Sequence, residues 1–393
     1  MKVAIVGGGA AGFFAAVSIK EMRRDIEVCI LEKGERVLRK VEISGGGRCN
    51  CTNSFEHVSN LQDVYPRGHR LMKRLLGIFG QRETMEWFEN HGVPLVTQDD
   101  DCVFPKSQDS HSITDCLMES ARALDVNVLK GTKVDSLDDV MRRFDKVIFA
   151  TGGGRSDEHY RLLSDAGIEI VKPVPSLYSL AINDESLNAM SGIVAQGVTI
   201  SYTGEKIKAF GDLLLTHKGI SGPAAMRLTS YAAREWAAAG FCHDIAINWT
   251  GTNEDRIREE ISRAVKDQGA KMIANIRIEG LSARLWEHIT RRSGIDGDKR
   301  MKDLGKKDIN KLTECLTNDR YLVSGRAMSG DEIVTCGGVS LKEFDSKSLE
   351  CKKIPGLFFA GEVTDVDGVT GGFNLQAAWS MARAAATAVA SAT

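Results

Sequence analysis

Three glycines near the start of the chain, Gly7, Gly9 and Gly12, stand in the spacing G-x-G-x-x-G, and an acid, Glu32, follows 20 residues after the last of them. Each position answers a separate demand of phosphate binding. Gly7 permits a tight turn, Gly9 lets the backbone approach a pyrophosphate, and Gly12 lets the following helix pack close to the preceding strand. The N–H groups at that helix start then face the phosphates and attract them without a basic side chain. An acid at the distance of Glu32 accepts a hydrogen bond from a ribose 2′-hydroxyl and repels a 2′-phosphate, so FAD or NAD is expected here and NADP is not.

Two further groups could do chemistry. The segment 41–53, VEISGGGRCNCTN, has three consecutive glycines followed by Arg48, Cys49 and Asn50. That composition makes a poor helix and a poor strand, so a loop is expected. Its backbone would cradle a cofactor while Arg48 faces phosphate or substrate charge. Near the other end, Gly371, Gly372 and Asn374 open an alanine-rich segment that follows Glu362. Backbone N–H groups at a helix start stabilise the negative charge that builds on N1 and the C2 carbonyl of a flavin as its ring is reduced. Glu362 would lie by the ribityl chain or the pyrophosphate.

These groups need elements to position them. Val3 to Val6 has the apolar pattern of a strand buried on both faces of a parallel sheet, ending at Gly7. Residues 27–31 form a second strand, and 145–154 repeat the buried strand followed by glycines, placing Thr151 and Gly152 near the nucleotide. No acid follows that repeat at the required distance, so it is not a second fingerprint. The stretch 71–92 is amphipathic and ends in a glycine, with Trp87 and Phe88 as core residues; a helix over 111–124 and a strand over 127–134 follow. Residues 332–341 read as a strand with a glycine break, 356–362 as a buried strand ending in an acid, and 369–390 as a glycine turn opening a helix.

Between about 185 and 330 the βαβ rhythm stops. Strand-like runs at 197–202 and 244–249 give way to polar helical segments at 254–269 and 281–294. The fold class is therefore α/β: a Rossmann-like nucleotide-binding domain from 1–184 and 331–393, interrupted by a β-rich part (185–250) and a helical part (251–330). Within the insertion, 212–223 carries His217, which as a lone histidine reads first as structural.

Composition bounds the function. The formal charge is −2, from 51 basic and 53 acidic residues, which leaves no basic footprint for nucleic acid. A small-molecule substrate is expected, with no nucleic-acid and no membrane partner. The apolar N-terminus is broken by glycines and lacks a small-residue cleavage site, so it reads as a nucleotide turn and a cytoplasmic location is expected. Nine cysteines without framework spacing suit a reducing compartment. Cys49-x-Cys51 lacks the two-residue spacer of a zinc knuckle, so no metal is expected. With one full fingerprint, any NAD(P)H must visit a flavin transiently instead of occupying a domain of its own.

The set GGGAAG, SGGGRCNCTN, THKGISGP, TCGGV and GLFFAGEVTDVDGVTGGFNLQAAWSMA resembles the BaiN-like family of bacterial flavoproteins across essentially the whole chain. The resemblance implies the glutathione-reductase type of FAD fold and an insertion that combines a β-barrel with a helical part. By position it implies FAD contacts from Gly7, Gly9, Ala10, Ala11 and Gly12, and from Glu32, Lys33 and Lys40. Ser44, Gly45, Gly46, Arg48, Cys49 and Asn50 would follow, then Val134, Thr151 and Gly152, and finally Gly361, Glu362, Gly372, Phe373, Asn374 and Leu375.

It also implies NAD(P)H-linked reduction of a carbon–carbon double bond in a bile-acid-like steroid enone. Amine oxidation of the aminoacetone type and a non-catalytic flavin electron-transfer or sensor module are the alternatives. In the reductase, hydride passes through flavin N5 to the β-carbon and an acid protonates the α-carbon. His217 and Tyr178 are the candidate proton donors, and Arg48 a candidate electrostatic partner for the enolate. Neither donor is set by spacing.

Overall fold

A computed structural model of the chain describes residues 1–154, 156–276, 278–327 and 334–392. It divides into two compact units, Met1–Val174 with Val334–Thr393, and Pro175–Ile333.

The first unit is built on five parallel strands in the spatial order Leu357–Phe359, Lys146–Phe149, Lys2–Val6 (β1), Glu27–Leu31 (β2), Asn127–Leu129. β1 is central, and Val3, Ala4 and Ile5 are fully buried. A central parallel strand is covered on both faces, which is why its sequence is continuously apolar. The helix Ala10–Met22 (α1) is buried from Ala11 to Lys20 and packs along the C-terminal helix Phe373–Ser391. Small side chains let them approach: a Cβ on Gly361 would stand 2.8 Å from Cβ of Ala11 and 3.8 Å from Cβ of Ala378. Phe14 anchors an aromatic cluster with Phe79, Trp87, Phe88 and Trp379, at ring separations of 4.8 to 6.5 Å.

The second unit holds a closed six-stranded barrel, ordered Val194–Tyr202, Lys208–Thr216, Gly219–Ser221, Leu180–Ile182, Asp319–Arg326, His243–Asn248. Helices Glu254–Asp267, Ala283–Arg292 and Lys306–Thr317 follow its strand His243–Asn248. Barrel and helices share one core that includes Ile200, Leu213, Ile245, Ile257, Leu285 and Leu312.

Several expectations change. Leu180–Ile182, expected in the first domain, and Asp319–Arg326, expected in the helical part, are both barrel strands. Closure of a barrel recruits strands from both flanks of an insertion, which chain order does not reveal. The stretch 71–92 is two helices, His69–Leu76 and Gln81–Asn90. Gly77 ends the first, and at Gly80 the second begins, where Glu83 Oε2 accepts the Gly80 N–H at 2.8 Å. The strand expected over 127–134 keeps only Asn127–Leu129. The segment 41–53 is not loop throughout: a helical turn from Arg39 runs into it and Thr52–Asn53 is a short strand. The expected boundary at 331 and the start of the strand over 332–341 lie outside the described residues; the strand there spans Val334–Val339.

Candidate cofactor site

The β1–α1 turn shows a different task at each glycine. Gly7 has φ +111°, and a Cβ there would lie 2.4 Å from the Ala150 carbonyl oxygen. A Cβ on Gly12 would lie 2.0 Å from the Gly7 oxygen, so helix and strand approach only because Gly12 has no side chain. Around Gly9 nothing lies within 4 Å of a Cβ position, which leaves the backbone open to a ligand. The helix makes its first backbone bond from the Phe13 N–H to the Gly9 oxygen. The N–H groups of Ala10, Ala11 and Gly12 therefore have no intrahelical acceptor.

Glu32 stands at the end of β2. Its Oε2 accepts the Gly8 N–H and its Oε1 the Gly34 N–H, each at 2.7 Å. The carboxylate is locked beside the glycine turn with lone pairs still open on both oxygens. The segment leading to Val134 is tied to the same place, because the Thr132 N–H donates to the Glu32 carbonyl at 2.8 Å. Val134 itself is half-buried, and the side chain of Lys33, next to Glu32, is exposed.

The loop that follows is a run of left-handed residues. Gly45, Gly46 and Gly47 have φ of 57°, 68° and 85°, and Cys49 has φ 60°. Cβ positions on Gly46 and Gly47 meet nothing within 4 Å, so this stretch offers open backbone. Ser44 closes the preceding helical turn, its Oγ donating to the Val41 oxygen at 2.7 Å. Arg48 lies 4.3 Å over the Phe104 ring and donates to the oxygens of Gly45 (3.3 Å) and Gln108 (3.2 Å). Its guanidinium is exposed and pre-oriented. Cys49 is fully buried, and burial pushes its thiol up to about 12. A thiol so raised is a poor nucleophile at neutral pH, and its burial makes Cys49 a packing residue here.

This loop is bound to the start of the C-terminal helix. Oriented to satisfy its neighbours, the Asn50 amide donates to the carbonyls of Thr52 (2.8 Å) and Val103 (3.2 Å) and accepts the Gly372 N–H at 3.2 Å. Asn53 Nδ2 donates to the Gly371 oxygen at 3.0 Å, and the Trp379 indole to the Cys51 oxygen at 2.8 Å. A Cβ on Gly372, at φ 88°, would stand 2.2 Å from the Thr52 oxygen. The first intrahelical bond runs from the Gln376 N–H to Gly372. The N–H groups of Phe373, Asn374 and Leu375 therefore have no intrahelical acceptor, as a site for developing negative charge requires. The Asn374 side chain is engaged locally: its amide holds Gly368 by both N–H and carbonyl at 2.8 Å.

Glu362 joins three segments. Its Oε2 accepts Lys40 Nζ at 2.7 Å and its Oε1 accepts the Thr335 N–H at 2.9 Å. Thr151 and Gly152 follow the strand Lys146–Phe149, and a Cβ on Gly152 would lie 3.8 Å from Glu362 Oε2. Gly361 serves packing against Ala11, as described above, so its glycine is explained without a ligand.

Sequence reasoning missed Thr52, Asn53, Thr335 and the pair Arg67 and Asp367. The first two continue the glycine loop, and that contiguity was the available signal. Asp367 is fully buried and accepts Arg67 Nε at 2.6 Å, a long-range pair with no local signature. His159, also missed, meets the Gly152 oxygen through Nε2 at 2.9 Å.

The two proton-donor candidates belong to the second unit. Tyr178 is 4% exposed, its ring against Phe241 at 5.9 Å, and its hydroxyl has no hydrogen-bond partner among the described residues. Burial raises its pKa far above the ordinary tyrosine value. Its ring is part of the second unit's core. His217 lies on the exposed turn between strands Lys208–Thr216 and Gly219–Ser221.

The turn, Glu32, the open glycine backbone and the C-terminal helix start form an acceptor and donor set that fits an FAD. Among the described residues no group of His, Cys, Asp and Glu could hold a metal ion, and no helix is long and apolar enough to cross a membrane.

Residues 1–388 match the family described as HI0933-like protein Rossmann domain. A ribosomal RNA dihydrouridine synthase of Escherichia coli is 29% identical over 97% of this chain and 96% of its own length. A ribosomal RNA dihydrouridine synthase of Haemophilus influenzae is 26% identical over 98% and 97%. A 3-dehydro-bile acid delta(4,6)-reductase of Clostridium scindens is 25% identical over 96% of each chain.

Proposed function

The chain belongs to the HI0933-like family of Rossmann-domain proteins, and from that premise we propose that it is an FAD-dependent oxidoreductase that reduces a carbon–carbon double bond conjugated to a carbonyl. The observation that carries this reading is the shared chemistry of the named relatives. Dihydrouridine is uridine with its C5–C6 bond saturated, a bond conjugated to the C4 carbonyl. A delta(4,6)-reductase acting on a 3-dehydro bile acid saturates bonds conjugated to a ketone. Both activities come from relatives matched along nearly their whole length.

For the substrate we infer a uridine in ribosomal RNA, because two relatives carry that activity at 29% and 26% identity. The steroid enone is the second reading, favoured by the bile-acid reductase at 25%. NAD(P)H is the proposed electron source.

Bound FAD supplies a site that takes up and gives back a hydride. The residues of this chain do the rest. The β1–α1 turn and the start of α1 bind pyrophosphate, and Glu32 orients the ribose. The N–H groups of Phe373, Asn374 and Leu375 hold charge at the ring. The exposed guanidinium of Arg48 can hold an enolate oxygen.

Anaerobic absorbance tests the reading. The purified yellow protein is mixed with NADPH or NADH, then with a ribosomal RNA fragment or an unsaturated 3-oxo steroid. Bleaching by a nicotinamide and recovery with RNA support the uridine reading; recovery with steroid alone moves the substrate to the second reading. Bleaching by an amine such as aminoacetone, with none by either nicotinamide, overturns the reductase.

A further inference from the structure

The segment 299–311, KRMKDLGKKDINK, carries six basic residues against two acids. Its apolar positions point inward: Met301 is 1% exposed and Leu304 8%. Arg300, Lys302, Lys306, Lys307 and Lys311 are turned to solvent as a consequence. Asp308 is already engaged, accepting Lys299 Nζ at 2.8 Å and capping the Gly305 N–H at 2.9 Å. Asp303 is the segment's other acid. Asp296 and Asp298 precede it, and Asp296 is turned onto its own loop by the Asp298 N–H at 3.0 Å.

Folding adds a further cation. The Met301 N–H donates to the Lys271 oxygen at 2.9 Å and Met272 bridges Arg300, so exposed Lys271 joins this face from 30 residues upstream. Among the described residues, none of Lys271, Arg300, Lys302, Lys306, Lys307 and Lys311 has a salt-bridge partner.

Exposed cations contribute little to folding and repel one another, but together they attract a polyanion. Lysine-rich surfaces bind phosphates as point charges and position a nucleic acid without reading its bases. The segment has no aromatic residue on which a base could stack.

We propose that this turn and helix start, with Lys271, form a docking surface for the phosphate backbone of the RNA substrate. The inference rests on the uridine reading above. It assigns the basic face to positioning and leaves chemistry to the cofactor unit.

The test compares the FAD-loaded protein with the triple variant K302E/K306E/K307E by fluorescence anisotropy against a labelled ribosomal RNA fragment over a salt series. The reversal should weaken binding at least about tenfold and lower the slope of log affinity against log salt by about 2 to 3, since each phosphate contact contributes about 0.7–0.9. Flavin content and melting temperature should stay unchanged, and K302R/K306R/K307R should bind as the parent does. If the parent binds and reduces the RNA but the reversal binds with the same affinity and slope, the surface is wrong and the uridine reading stands. A parent that neither binds nor reduces the RNA overturns both.

Discussion

Glu32 is the residue on which the ADP half of the site turns. Its two oxygens hold the N–H groups of Gly8 and Gly34, so the acid shapes the glycine turn beside which the proposed ribose contact would lie. Glu32→Arg leaves both donors without their acceptor, a cost of about 1–3 kcal/mol if they stay buried, and places a cation where a hydrogen-bond acceptor is needed. The purified variant should lose most of its flavin, read as the ratio of flavin to protein absorbance. An undiminished ratio would exclude the ribose contact. Cys49 makes the opposite case. It follows the three glycines and Arg48, yet the side chain is buried and its thiol raised to about 12. Iodoacetamide at pH 8 should label exposed Cys242 and leave Cys49 unmodified, as peptide mass spectrometry would show. The identity of both residues was legible in the chain. Their environments were not, because burial depends on what the rest of the fold places above them.

The elements behave as coupled pairs. The glycine loop 44–50 and the start of the helix Phe373–Ser391 are more than 300 residues apart, yet Asn50, Asn53 and Trp379 bind one to the other. The loop before that helix is further held by the Arg67 and Asp367 pair. Asp367→Asn would remove the buried carboxylate that a largely buried guanidinium meets through its Nε. A destabilisation of about 3–5 kcal/mol is expected, measured as a lower urea midpoint with unchanged slope. A second coupling reports on pH. Burial, with smaller contributions from Lys33 and Lys40, holds the His159 imidazole below its ordinary value, while its contact with the Gly152 oxygen opposes the shift. The folded state therefore binds this proton less readily than the unfolded state. Stability from this group is full above about pH 6.5 and is lost as pH falls through the lowered value. Thermal melts between about pH 7 and pH 5 should show a smaller acid loss in His159→Gln than in the parent. Element types were readable from periodicity. The split of 71–92 into two helices also had a visible cause in Gly77 and Gly80, whose weight against a strong amphipathic pattern cannot be judged without the packing of Phe79 beneath Phe14.

At the scale of the molecule, each of the two units has its own core. Trp286 is almost fully buried in the second, its indole N–H on the Ile273 oxygen at 2.8 Å. Trp286→Ala should cost about 3–5 kcal/mol, seen by calorimetry as a lower-melting transition, with the flavin-to-protein ratio unchanged below that transition. A proportional loss of flavin would mean that the cofactor site depends on the second unit's core. Net charge illustrates what whole-chain sums conceal. A value of −2 argues against a nucleic-acid partner, but residues 299–311 alone carry six cations, and the fold brings Lys271 to them. The nucleotide turn, the position of its acid, the glycine helix start near the C-terminus and the interruption of the Rossmann rhythm are all written in the chain. These follow from local sterics and periodicity, which act over a few residues. Long-range packing sets the burial of Cys49 and Tyr178, the closure of one barrel by Leu180–Ile182 and Asp319–Arg326, and the seating of the last helix by the glycine loop. Those outcomes depend on contacts between residues far apart in the chain, where burial and hydrogen-bond partners are set by the whole fold.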